Sequence, residues 1–229
     1  MLSEIPAMNS EHRSRVIAVA ILLASVGALG AAEPGPDNDY GRSEIGGSQG
    51  SIAWESLLQG EGLDGWDVNQ EPWSRDAWER EVDAIIADVG DSPRARIVIG
   101  DETWRAYELK VQVTMVKGGG SAQLWFNIHD KQAYHFAPLL GWQTAAIMAP
   151  DHTKLDVVNH AFEHNREYDL VLAVRGRSVT TYIDGVLVNR VTLDEDPQGG
   201  IGLAVWGRHS EARFRDPKIR HYYRGHSGQ

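Results

Sequence analysis

The sequence has no cysteine. That excludes disulfides, thiolate-bound zinc or iron–sulfur centres, a thiol nucleophile and anchoring through a lipidated cysteine. Basic residues are in deficit: 22 Lys and Arg face 32 Asp and Glu, a formal net charge of −10. Nucleic acid and anionic membrane surfaces draw in their partners through basic patches, so this balance argues against both and favours a neutral partner. No apolar run reaches the roughly 20 residues of a bilayer span. A dense Asp/Asn calcium loop and internal repeats are also lacking.

What is present divides into four parts. Arg13 and Arg15 precede an apolar run from Val16 to Gly30, small residues follow, and a Pro/Gly-rich polar stretch comes next. This is the pattern of a secretory signal peptide over residues 1–32, cleaved after Gly30 or Ala32, and it predicts an exported protein with no stable membrane insertion after cleavage. Residues 33–51 are rich in Gly, Pro, Ser and Asp and read as a flexible linker. A single folded domain is predicted over 52–223, with a short tail at 224–229. A domain of that length buries enough surface to fold without a disulfide or structural metal.

Within the domain, short β-branched or aromatic segments alternate in polarity and are bounded by Gly, Pro, Asn or Asp. "YELKVQVTM" places Tyr107, Leu109, Val111, Val113 and Met115 on one face. "IGLAVWGR" places Ile201, Leu203 and Val205 on one face and Gly202, Ala204, Trp206 and Arg208 on the other. Asp184-Gly185 suits a type I′ hairpin turn. No segment sustains an apolar helical period over three turns, although 74–89 could begin as a helix. The pattern predicts an all-β, antiparallel β-sandwich.

One strand poses a functional question. In "SAQLWFNIHD" (121–130), alternation assigns Ala122, Leu124, Phe126 and Ile128 to the core and Gln123, Trp125, Asn127 and His129 to the outer face. That outer set is unlike the Lys, Glu and Thr of an ordinary solvent face. If the sandwich curves, one outer face becomes a groove, in which Trp125 and Trp206 stack on sugar rings while planar Gln, Asn, His and Arg groups bond hydroxyls. The predicted ligand is carbohydrate, with Gln123, Trp125, Asn127, Trp142 and Trp206 as contacts and His129, His135 and Arg208 as candidate chemical groups.

The order of signals resembles the 3-keto-disaccharide hydrolase family of secreted bacterial proteins. The resemblance rests on "WESLLQGEGLDGWDV", "RIVIGDETWRAYELKVQV", "SAQLWFN", "EYDLVLAVRGRSVTTYIDGVLV" and "GGIGLAVWGRHSEARFRDPKIR", and covers roughly residues 54–222. It implies a concanavalin-like, laminin-G-like jelly roll acting on 3-keto-glycosides or related disaccharides. The family often shows a Gly-Ile-x-x-Arg strand followed by a Tyr-Glu-x-Gln segment. The corresponding places here, Leu124 to Asn127 and Tyr134-His135-Phe136-Ala137, lack the arginine, glutamate and glutamine, so no catalytic residue is carried over from the family.

Ordinary glycoside hydrolysis needs two carboxylates across the scissile bond, and no spacing marks a pair among Asp151, Asp156, Glu163 and Asp169. A 3-keto sugar instead permits elimination, which needs a base and an enolate stabiliser. His129 or His135 is the expected base, and Arg208 or a bound cation the stabiliser. His152, His160 and His164 cluster with Glu163, but on a strand and loop their spacing has no ligating geometry, so no cofactor or metal is expected. A noncatalytic lectin-like module and an adhesion domain are the alternatives.

Overall fold

The computed structural model describes residues 53–70, 75–129 and 132–222. The predicted signal peptide, the linker and the C-terminal tail lie outside the described residues. In chain order the strands are β1 (Glu55–Ser56), β2 (Trp78–Arg80), β3 (Ala84–Asp88), β4 (Arg94–Ile99), β5 (Tyr107–Lys117), β6 (Ser121–His129) and β7 (Gln132–Leu139). They continue with β8 (Thr144–Met148), β9 (Lys154–Asn159), β10 (Glu167–Arg175), β11 (Ser178–Ile183), β12 (Val186–Thr192), β13 (Gly200–Trp206) and β14 (Glu211–His221).

These strands form two antiparallel sheets. One is eight-stranded, in the order β12-β11-β10-β5-β14-β3-β2 with β1 also on β14; the other is six-stranded, β4-β13-β6-β7-β8-β9. Hairpin neighbours such as β10-β11-β12 and β6-β7-β8-β9 are combined with pairings of strands distant in sequence, β5 with β10 and β14, β14 with β3, and β13 with β4 and β6, as in a jelly roll. The 74–89 segment is a single 3₁₀ turn, Arg75–Ala77, followed by β2 and β3. Among the described residues no helix is long and apolar enough to cross a membrane.

The core forms where the inner faces meet. Tyr107, Leu109, Val111, Val113 and Met115 from β5 pack with Leu124, Phe126, Phe136, Ile147, Leu203 and Val205 of the other sheet. The period-two pattern of β5 and β13 is thus realised as predicted. The β11–β12 hairpin also turns as its residues demand, with Asp184 at φ 50° and Gly185 at φ 80°, both in the left-handed region of a type I′ turn.

A polar clasp joins the two sheets at their edges. Asn189 of β12 is buried and donates from Nδ2 to Asp156 Oδ2 of β9 at 3.2 Å, and Thr181 Oγ1 donates to Asn189 Oδ1 at 3.1 Å. Asp156 Oδ2 also accepts from the Arg190 backbone N–H at 3.1 Å. Asp156 is therefore a structural carboxylate.

Candidate functional site

The outer face of the six-stranded sheet can be read in rows, because directly paired residues share a face. One row runs Arg94, Trp206, Ser121, Leu139, Thr144, Asn159. The next in register runs Arg96, Ala204, Gln123, Ala137, Ala146, Val157. The third runs Val98, Gly202, Trp125, His135, Met148, Lys154. Small residues fill the middle and large polar or aromatic residues flank them. Trp125 and Trp206 share a sheet and a face, as predicted.

Trp125, however, is not an exposed platform. It is only 7% exposed and packs with Ala133, Ala204 and Ile128 in a second apolar cluster outside the main core. The Arg96 guanidinium lies over its ring at 4.5 Å, and the His135 ring stacks on it at 4.6 Å with 11° between planes. The two come from strands on opposite sides of β6, so both ring faces are covered. Its Nε1 donates to Gln123 Oε1 at 2.8 Å, and Gln123 Nε2 donates to Ser121 Oγ at 2.7 Å. Gln123 is buried at 4%, so its hydrogen bonds serve the sheet rather than a ligand. The close packing needs Gly202, where a Cβ would stand 2.7 Å from the Ile97 carbonyl oxygen and 3.5 Å from Trp125 Cβ.

A bulge corrects the other half of the strand. Asn127 has φ 56°, and the pairing of β6 shifts on both sides of it. Such an extra residue reverses the alternation, so Ile128 packs beside Trp125 rather than in the main core. The Asn127 Oδ1 accepts from the Gln198 backbone N–H at 2.6 Å and fastens the loop before β13. His129, at the end of β6, places Nδ1 3.1 Å from Glu102 Oε1, outside the three rows.

His135 is 3% exposed, and its Nδ1 has no hydrogen-bond partner among the described residues. Burial, with smaller contributions from His152 and Arg96, pulls its pKa down to about 3. An imidazole so weakly basic holds a proton poorly at neutral pH and is a poor general base. Arg208 falls beyond the end of β13, exposed in the turn to β14 rather than on the strand.

The sequence reading weighed His152 only as a member of a metal-binding cluster and left it out of this face. His152 sits in the β8–β9 turn at φ 67°, where its backbone N–H donates to the Ala149 carbonyl at 2.9 Å. The Thr153 N–H donates to Asp151 Oδ1 at 2.9 Å, tightening the same turn. The exposed His152 ring is thereby aimed back across the sheet, with its centroid 5.7 Å from His135 and 5.8 Å from Trp206. Trp206 is 37% exposed, and Arg94 lies over its ring at 5.1 Å. Gly120 allows the end of β13 to come this close, since a Cβ there would strike the Trp206 carbonyl. Trp142, in the 3₁₀ turn Leu140–Trp142, is 67% exposed with Lys154 Nζ 4.4 Å from its centroid.

The other predicted histidine neighbours diverge. His160 packs on Phe162 and Tyr168, which line a small apolar cavity between the sheets together with Val113, Met115 and Leu140. Among the described residues no group of three or more His, Asp or Glu converges as metal ligands would.

The model of the 3-keto-alpha-glucoside-1,2-lyase-like domain matches residues 53–220. The chain belongs to this family. It is the family anticipated from the order of stretches that opens with "WESLLQGEGLDGWDV" and closes with "GGIGLAVWGRHSEARFRDPKIR". An extracellular exo-alpha-L-arabinofuranosidase of Streptomyces chartreusis is 36% identical over 91 residues, which cover 38% of this chain and 11% of that protein. The chain thus spans about a tenth of that relative's length. Among solved structures, the carbohydrate binding module CBM66 from Bacillus subtilis has a TM-score of 0.58 at 17% identity, covering 68% of this chain and 95% of that one. A beta-glucanase of Bacillus licheniformis has a TM-score of 0.51 at 13% identity, covering 76% and 99%. The fold is that of glycosidase-like and carbohydrate-binding-module jelly rolls.

Proposed function

We propose that this chain is an exported enzyme that cleaves 3-keto-glycosides on the outer face of its six-stranded sheet. The observation that carries the reading is the exposed His152 imidazole held 5.8 Å from the half-exposed Trp206 ring. A sugar resting its apolar C–H face on Trp206 brings its ring hydrogens to the edge of a solvent-facing imidazole. His152 takes the C2 proton, which the C3 ketone has acidified. The electron pair forms the enolate, and Arg94, over the same indole at 5.1 Å, stabilises its oxygen. Collapse of the enolate forms the C1–C2 double bond and breaks the bond from C1 to the glycosidic oxygen, which leaves with the proton that His152 took. Addition of water across the double bond then completes net hydrolysis. This route uses no carboxylate pair, in keeping with strand rows that carry no Asp or Glu. The extracellular arabinofuranosidase relative and the cationic, apolar N-terminal pattern support export.

Incubating the chain with 3-keto-glucosides and their unoxidised parents tests the reading. Turnover is expected only on the keto forms. His152→Ala should lower it by about 10²–10⁴-fold, the usual worth of a general base, with little loss of binding to an inert analogue. Full turnover in His152→Ala removes the proposed base. A noncatalytic sugar-binding module is the second reading, favoured by the weakly basic, buried His135; it expects sugar affinity that depends on Trp206 and no turnover on any substrate.

A further inference from the structure

Trp142 is the most exposed aromatic side chain among the described residues, with 67% of its surface in water, yet the turn that carries it is firmly built. Leu140 anchors one end in the main core. At the other end Gln143 takes φ 53°. Its Nε2 donates to the Leu140 carbonyl at 2.6 Å and to the Phe162 carbonyl at 3.0 Å, while its Oε1 accepts from the Phe162 N–H at 2.8 Å. The His160 N–H donates to the Gln143 carbonyl at 2.9 Å, which ties the turn to the chain after β9. Lys154 stands on the outer face opposite Met148, and its Nζ, 4.4 Å from the indole centroid, steadies one face of the ring over the six-stranded sheet. So much bracing for a ring that packs so little of its own surface fits an aromatic side chain held ready for a ligand, which then loses little rotamer entropy on binding.

The same turn abuts the Trp206 end of the face. A Cβ on Gly141 would stand 2.8 Å from the Gly119 carbonyl oxygen, and a Cβ on Gly120 would strike the Trp206 carbonyl. Trp206, Gly120, Gly119, Gly141 and Trp142 therefore form an unbroken seam whose middle carries no side chain, and Gly119 and Gly141 are exposed. Glycine lets a ligand approach the backbone closely. In the order β13-β6-β7-β8, two to three strand spacings of about 4.8 Å separate Trp206 from the β7–β8 turn, about 10–14 Å. One pyranose ring does not bridge that span, and a short oligosaccharide does. Resting on the reading that a 3-keto sugar sits on Trp206, we infer that the substrate is an oligosaccharide whose leaving portion follows the glycine seam and stacks a sugar ring on the open face of Trp142.

The test compares methyl 3-keto-glucosides with maltotriose, cellotriose and laminaritriose oxidised at C3 of the non-reducing unit, in parallel with calorimetric titration of the three unoxidised trisaccharides. At least one oxidised trisaccharide should show a KM about tenfold below that of the methyl glycosides, the scale of one well-placed aromatic contact. Trp142→Ala should erase that advantage with kcat unchanged, the mark of a contact made equally in ground and transition states, and should leave the methyl glycosides unaffected. Trp142→Tyr should keep most of it. Equal KM for methyl glycosides and every trisaccharide, or an advantage that survives Trp142→Ala, overturns the inference and leaves the proposed function standing. Trisaccharide binding that depends on Trp142, without turnover of any keto sugar, overturns the proposed function and keeps Trp142 as a saccharide contact. Absence of both binding and turnover overturns both.

Discussion

Replacing Trp125 by alanine removes the centre of the Arg96–Trp125–His135 stack, and its effect separates packing from ligand contact. An indole buries on the order of 200 Å², worth about 5 kcal/mol at 25 cal/mol per Å² as an upper bound. Large-to-small changes of this kind cost about 3–5 kcal/mol, and the loss of the Nε1 donor leaves Gln123 Oε1, buried beside it, without that bond. For a domain of this size each kcal/mol lowers the melting temperature by about 2–4 °C, so Trp125→Ala should melt roughly 6–20 °C below the parent. Trp206→Ala is the control. With 37% of its surface already in water against 7% for Trp125, it should melt within a few degrees of the parent yet lose most sugar affinity. Circular dichroism melts and sugar titrations on both variants decide the matter. A Trp125→Ala protein that melts with the parent but no longer binds sugar would refute the packing argument and restore Trp125 as a platform.

Three further outcomes follow from the same contacts. His135 has a folded pKa near 3 against about 6.5 unfolded, so the unfolded chain binds the extra proton: His135 costs no stability above about pH 6.5 and increasingly destabilises the fold as pH falls from there toward 3. Urea unfolding should show about 2 kcal/mol of this loss at pH 5, absent in His135→Gln; parallel pH profiles would contradict it. Asn189→Ala removes the donor to Asp156 and the acceptor for Thr181, and should cost about 1–3 kcal/mol with faster amide exchange in β9; unchanged exchange there would show that the clasp does not hold the edge. Asn127→Val forces a β-branched residue to φ 56° and breaks the bond to Gln198, and should cost at least about 1–2 kcal/mol, whereas Asn127→Gly should cost less; equal melts would remove the bulge from the account.

The fold was legible because its signals are local. Alternation in β5 and β13 and the Asp184-Gly185 turn each depend on a few adjacent residues, and parity alone puts Trp125 and Trp206 on outward-facing positions. Three features of the site were not legible for an equally physical reason. The cover over Trp125 comes from Arg96 and His135, which reach it only through strand pairing. The bulge at Asn127 has no stronger local mark than an asparagine's tolerance of positive φ, and it moves Ile128 from the core position that strict alternation predicts to the side of Trp125. His152 lies in a turn whose direction depends on where β8 and β9 join the sheet, and its Asp-His-Thr sequence only hints at a tight turn.

The two tryptophans also show why outward-facing does not mean available. On a sheet face, a side chain's exposure depends on the size of its neighbours along and across the strands. Trp125 has Gly202 on one side and His135 on the other; the glycine leaves room for the indole to lie down over Ala204, and the imidazole seals it. Trp206 stands at the end of its strand beside Ser121 and Arg94; Arg94 lies over its ring and the exposed His152 ring is 5.8 Å away, and 37% of its surface stays open. The buried trio therefore works as a rigid floor that fixes the positions of Arg96 and His135, while the neighbouring Trp206, His152 and Arg94 keep the solvent contact that a ligand needs. A substitution that enlarges Gly202 should consequently act on binding only indirectly, by lifting Trp125 and with it the floor beneath His152.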